Sequence, residues 1–161
     1  MKLSPDQEEA FNAFKERKNI LLTGPGGSGK TALIKRMVEF GLAENKEIQV
    51  CALTGCAALL LECNARTIHS WSGIKLGRGN TNEIIDDIFN NHKARGAWKT
   101  TDVLIVDEVS MMSAHIFELL DTVGRRVRGS RLPFGGMQVI FVGDFFQLPP
   151  VAKASSEDTE G

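Results

Sequence analysis

Apolar residues along this chain fall into two alternating patterns. Short unbroken apolar runs occur at Ile20-Leu21-Leu22, Ile48 to Leu53, Val103 to Val106 and Val139 to Val142. Runs of that length and β-branched content read as buried strands. Between them the apolar residues recur at three- and four-residue spacing. Leu33, Ile34, Met37 and Val38 form one such set, and Ile84, Ile85, Ile88 and Phe89 another. Ile116, Leu119, Leu120, Val123 and Val127 form a third. This is the stripe of a helix with one buried face. Strands alternating with helices predict an α/β fold with a mainly parallel sheet flanked by helices.

Local signals punctuate the pattern. Ser4-Pro5-Asp6-Gln7 opens a first helix with an N-cap, a proline at the first helical position and a glutamine three residues on. Phe11 and Phe14 give that helix its apolar stripe. Asn19 to Thr23 is a strand, and Thr31 to Phe40 a helix closed near Gly41. Cys56 to Leu61 is a short helix of small and apolar residues, and Thr67 to Ile74 a tight segment. Glu83 to His92 is an amphipathic helix, Ser113 caps the next, and Gly135-Gly136 turns into the last strand. There are no internal repeats.

The 161 residues are enough for one domain with a real core. A net charge of −1 is not the basic balance that advertises a strong nucleic-acid binder. Charge is nevertheless uneven. Arg66, Lys75, Arg78, Lys93, Arg95 and Lys99 face only Glu83, Asp86 and Asp87 in the segment from Asn64 to Lys99. No apolar run is long enough to cross a bilayer, and the amino terminus has no signal-peptide pattern. Cys51, Cys56 and Cys63 are odd in number and lack C-x-x-C spacing, which fits a reducing, intracellular compartment and a space-filling role in the core. His69, His92 and His115 have no metal-ligand spacing, so no structural zinc is expected. The acidic, small-residue stretch over 152–161 reads as a disordered tail behind a domain spanning 1–151.

Three motifs carry the chemistry, each following a predicted strand. The first is Gly24-Pro25-Gly26-Gly27-Ser28-Gly29-Lys30-Thr31, a P-loop with its strand and helix in place. Its glycines let successive backbone N–H groups point at phosphate oxygens. Lys30 is expected to reach the outer phosphates, and the Thr31 hydroxyl to hold Mg²⁺. The second motif is Asp107-Glu108. Asp107 ends a strand apolar on both faces, a position that suits Mg²⁺ binding, and Glu108 can polarise an attacking water. The third is Gly143-Asp144-Phe145-Phe146-Gln147-Leu148-Pro149-Pro150, where Gln147 can sense a γ-phosphate. Asp144 has a turn or capping role as its competing reading. In a parallel sheet the carboxyl ends of the strands share one edge, so the three motifs can meet on one nucleoside triphosphate.

Other residues have bland readings of comparable weight. Gln7 completes a capping box with Ser4, and spacing alone favours that over adenine recognition. Thr54-Gly55 and Thr67-Ile68-His69-Ser70-Trp71 offer hydroxyls, backbone N–H groups and an aromatic to single-stranded nucleic acid. Against this, Trp71 fits a core residue and His69 a local hydrogen bonder, and the two readings balance. Arg125, Arg126 and Arg128 end a helix, where cations suit the dipole. Met111 and Met112 read as core.

Together these motifs resemble the petite-integration-frequency (PIF) type of DNA helicase, a superfamily-one branch that moves 5′ to 3′ on single-stranded DNA. The residues that carry the resemblance are Leu3-Ser4-Pro5-Asp6-Gln7, the P-loop, Thr54-Gly55-Cys56-Ala57-Ala58, Thr67 to Ile74, Val106 to Met111, and Pro133 to Val151. It implies a RecA-like P-loop domain using ATP and Mg²⁺. Gln7 would read adenine, and Gly24, Gly26, Gly27, Ser28, Gly29, Lys30 and Thr31 would hold the phosphates. Thr31 and Asp107 would hold the metal; Lys30, Asp107, Glu108 and Gln147 would be catalytic. Thr54, Gly55, His69 and Trp71 would lie on the single-strand track. Family roles are in repair, recombination and telomere maintenance, in nucleus or mitochondrion for a eukaryotic member. Such helicases carry two RecA-like domains, so the resemblance implies a partner domain, in cis or in trans, and a first domain incomplete at its carboxyl end. A nucleotide-gated single-strand binding module and another P-loop ATPase of RecD-like or relaxase type are the alternatives.

Overall fold

A computed structural model describes residues 3–23, 29–61 and 63–143. Its centre is a five-stranded sheet in the order β1-β5-β4-β2-β3 (Ile20–Thr23, Gln138–Gly143, Val103–Asp107, Ile48–Ala52 and Arg66–Thr67), and every pair is parallel. The register sets Thr23 beside Gly143 and Ala52 beside Asp107. Three predicted motif positions therefore leave the sheet on one edge.

Alternation along the central strands divides the core in two. Leu104, Val106, Val139 and Phe141 point to one face, where α4 (Ile68–Ser72), α5 (Thr81–Phe89), α6 (His92–Thr100) and α7 (Ala114–Arg128) pack. Val103, Ile105, Ile140 and Val142 point to the other, under α1 (Pro5–Lys15), α2 (Lys30–Ala43) and α3 (Gly55–Leu61). A strand buried on both sides has no polar face to show, which is why these runs are continuously apolar.

The caps expected from sequence form. Ser4 Oγ accepts from the Gln7 N–H at 3.3 Å, and Gln7 Oε1 accepts from the Ser4 N–H at 3.0 Å. Ser113 Oγ accepts from the Ile116 N–H at 3.2 Å. Several elements differ from the sequence reading, among them β3, a strand that the apolar pattern does not predict. α2 runs on to Ala43, because Gly41 is a buried packing position against the Ile48 side chain and the chain reverses instead at Asn45, with φ 59°. The amphipathic helix begins earlier, capped by Asn80, and stops at Phe89. A separate helix, α6, then starts behind Asn91, whose side chain accepts from the Lys93 and Ala94 N–H groups at 3.1 Å each.

α7 is locked down at its carboxyl end. Gly124 lies so close to the Phe134 backbone that an added Cβ would sit 3.0 Å from the Phe134 carbonyl carbon. Arg128 does more than complement the helix dipole: Nη1 donates to the Trp98 carbonyl at 2.7 Å and the Thr101 carbonyl at 3.0 Å, while Nε donates to the Gly135 carbonyl at 3.0 Å. It ties α6, α7 and the turn before β5 together. No helix among the described residues is long and apolar enough to cross a membrane.

Candidate nucleotide site

The P-loop lysine begins α2, and Gly29 before it adopts φ 85°, a left-handed conformation that glycine takes without strain. Lys30 and Thr31 thereby face the carboxyl edge of β4. Gly29, Lys30, Thr31, Asp107, Glu108, Ser110 and Met111 line one cavity of about 450 Å³. An ammonium, a hydroxyl and two carboxylates from distant parts of the chain thus share a single space. That donor set fits a triphosphate with Mg²⁺: a cation for phosphate oxygens, and hydroxyl and carboxylate oxygens for a hard divalent ion. Glu108 sits at the strand-to-turn junction with φ 65°.

Gln7 also reaches this corner. Its Nε2 lies so close to Gly29 that a side chain there would collide with it. The capping box and the nucleotide role are therefore compatible, since the cap uses Oε1 and aims the other end of the amide at the P-loop. Gly24, Gly26, Gly27 and Ser28 lie outside the described residues, as do Asp144, Gln147 and the tail.

The expected single-strand residues separate. Thr54 follows β2 at the same sheet edge and is half-buried, and Gly55 is exposed. His69 is half-buried on α4. Trp71 is a correction. Its side chain is only 2% exposed, with its ring centroid 4.8 Å from that of Trp98. Trp98 Nε1 donates to the Ser72 carbonyl at 2.9 Å. A ring enclosed by α4, α5 and α6 offers no face to a base, so Trp71 is a core residue here. Met111 is corrected in the other direction: it is 61% exposed at the cavity rim, while Met112 packs against the core. Of the cysteines only Cys51 is buried; Cys56 is exposed and Cys63 half-buried. Burial pushes the Cys51 thiol well above its ordinary range, with nearby Arg66 opposing.

One contact was not legible in the sequence. Glu108 Oε1 accepts from the Leu53 N–H at 3.2 Å, the Thr54 N–H at 3.1 Å and the Thr54 hydroxyl at 3.2 Å. The residue read as the water activator is thus bonded to the residue read as a DNA contact. They are neighbours only because β2 and β4 pair.

The chain matches the family model "PIF1-like helicase" over residues 2–160. It belongs to the PIF1-like helicase family. The ATP-dependent DNA helicase PIF1 of Saccharomyces cerevisiae is 38% identical over 162 residues, 98% of this chain and 18% of that protein. The crystal structure of Pif1 helicase from Candida albicans superposes with a TM-score of 0.85 at 35% identity, covering 96% of this chain and 35% of that one. Pif1 helicase from Bacteroides in complex with ADP-AlF3 and ssDNA gives a TM-score of 0.69 at 31% identity, over 100% of this chain and 38% of that one. The chain therefore spans about a fifth of the PIF1 helicase sequence it matches and a little over a third of the solved PIF1-like chains.

Proposed function

We propose that this chain is the ATP-binding motor domain of a 5′-to-3′ DNA helicase, acting with a second RecA-like domain in cis or in trans. The observation that supports it most is the shared cavity of Lys30, Thr31, Asp107 and Glu108, formed where the start of α2 meets the carboxyl end of β4 and the turn after it. The Saccharomyces cerevisiae relatives are named ATP-dependent DNA helicases, and one structural neighbour was solved with ADP-AlF3 and ssDNA.

In this reading Lys30 would hold the outer phosphate oxygens, and Thr31 and Asp107 would hold Mg²⁺, whose charge would offset that of those oxygens. Gln7 would read the adenine edge, and Glu108 would orient the attacking water and take its proton as the water oxygen bonds to the γ-phosphorus and the bond to the β–γ bridging oxygen breaks, with ADP as the leaving group. Gln147 reports the γ-phosphate. Thr54, Gly55 and His69 contact single-stranded DNA. Repair, recombination and telomere maintenance are the proposed settings, in nucleus or mitochondrion for a eukaryotic source.

Mutation of the P-loop tests the reading. Charged hydrogen bonds are worth about 1.5–3 kcal/mol each, so Lys30→Ala should weaken a fluorescent ATP analogue at least ~10-fold in the presence of Mg²⁺. Glu108→Gln should leave that affinity intact while removing turnover. An unchanged affinity in Lys30→Ala would rule out the nucleotide assignment.

A further inference from the structure

We infer that Thr54 holds Glu108 in a resting position, and that single-stranded DNA releases it by taking the same donors. The inference rests on the reading of Thr54 and Gly55 as DNA contacts and adds the means by which that contact controls the nucleotide site.

Among the described residues, the carboxylate's bonds fall on one oxygen, Oε1, from the Leu53 N–H, the Thr54 N–H and the Thr54 hydroxyl. A carboxylate has about four lone-pair sites over its two oxygens, so three donors saturate Oε1. It has no direction left from which to accept a proton from water. The bonds tether Oε1 to the β2–α3 loop and so fix the orientation of the carboxylate at the edge of the cavity. Glu108 stands in the left-handed region, so its backbone is held by the turn that follows β4, and the side-chain torsions remain to re-aim the carboxylate.

The Thr54 donors are reachable from outside. Gly55 is exposed, and a Cβ built on it would meet nothing within 4 Å. Thr54 Oγ1 also accepts from the Ala57 N–H at 3.2 Å, which fixes where its proton points. A phosphodiester arriving at this loop is an anionic acceptor, as Glu108 is. One hydroxyl proton and one N–H cannot serve two anions fully, and two negative charges drawn to the same donors repel. DNA binding therefore favours the state in which Glu108 Oε1 has left Thr54 and the carboxylate is free to re-aim within the cavity that it already lines with Lys30 and Asp107. Thr54 is thus a positioning residue, acting on hydrolysis through Glu108.

Coupling of this kind is reciprocal: what DNA does to Glu108, Glu108 does to DNA affinity. The experiment is binding of a labelled oligothymidylate to the whole chain by fluorescence anisotropy, without nucleotide. Glu108→Ala frees the Thr54 donors and should tighten binding by about fivefold, the low end of site-to-site coupling. A scaffold role for Glu108 would give the opposite sign, since loss of the loop's anchor would weaken binding. Asp107→Ala removes a charge from the adjoining position without touching Thr54 and measures the plain charge effect. In a Thr54→Val background the gain from Glu108→Ala should shrink, whereas Thr54→Ser should preserve it. Glu108→Ala binding no tighter than Asp107→Ala, with circular dichroism unchanged, overturns the inference. Absence of DNA binding in every form also overturns it, together with the DNA role of Thr54. The nucleotide assignment would survive that result, because it is read from Lys30→Ala and the ATP analogue.

Discussion

Replacing Trp71 separates a stacking platform from a core residue. Its ring is nearly inaccessible and packs against Trp98 at a centroid distance of 4.8 Å, within a layer that includes Ile68, Ile74, Ile85 and Ile88. Truncating a buried aromatic to alanine costs about 3–5 kcal/mol, and the ring pair adds roughly 0.5–1.5 kcal/mol beyond area burial. For a chain of this length each kcal/mol lowers Tm by about 2–4 °C, so Trp71→Ala should lower Tm by roughly 7–26 °C. Trp71→Phe, which keeps an aromatic of smaller size, should lose less than half of that. The assay is thermal unfolding followed by circular dichroism, with intrinsic fluorescence as a second probe, since Trp71 and Trp98 are the protein's two tryptophans. DNA affinity, corrected for the folded fraction, should be unchanged in both variants. A Trp71→Ala protein that melts like the parent and loses DNA binding would refute the reasoning and return the ring to the single-strand track.

Arg128→Met keeps most of the apolar stem and removes the donors to the Trp98, Thr101 and Gly135 carbonyls. Because the site is half-exposed, a loss of about 2–3 kcal/mol is expected in urea unfolding, against little change in Arg126→Met on the exposed side of the same helix. Cysteine reactivity should divide sharply: an aromatic disulfide reagent should modify exposed Cys56 in the native protein and reach Cys51 only on unfolding. The raised Cys51 thiol also predicts a pH effect. The folded state disfavours the thiolate, so this stability is complete below the ordinary value of 9.0 and falls as pH rises beyond it. Cys51→Ala should remove that alkaline decline, as read by chemical unfolding at pH 8 and pH 10.

Much of the fold could be read from periodicity. Strands buried on both faces must be apolar throughout, and amphipathic helices must repeat their apolar residues at three and four, so the α/β order follows from the sequence. The P-loop and Asp107-Glu108 were legible for a similar reason: their chemistry is local, needing a strand, a turn and a helix start in immediate succession. The capping box at Ser4 and the N-cap at Ser113 are local too. What the sequence left open depends on pairing between distant segments. Trp71 was balanced between core and surface because its five-residue helix is too short to show a face; α6 and Trp98 decide for core. Arg128 looks like any cation at a helix end until the turn at Gly135 and the end of α6 present it with the carbonyls of Gly135, Trp98, Lys99 and Thr101. Glu108 and Thr54 lie 54 residues apart and meet because β2 pairs with β4. A parallel sheet can bring any two strand ends together, and only the order of its strands says which ones touch.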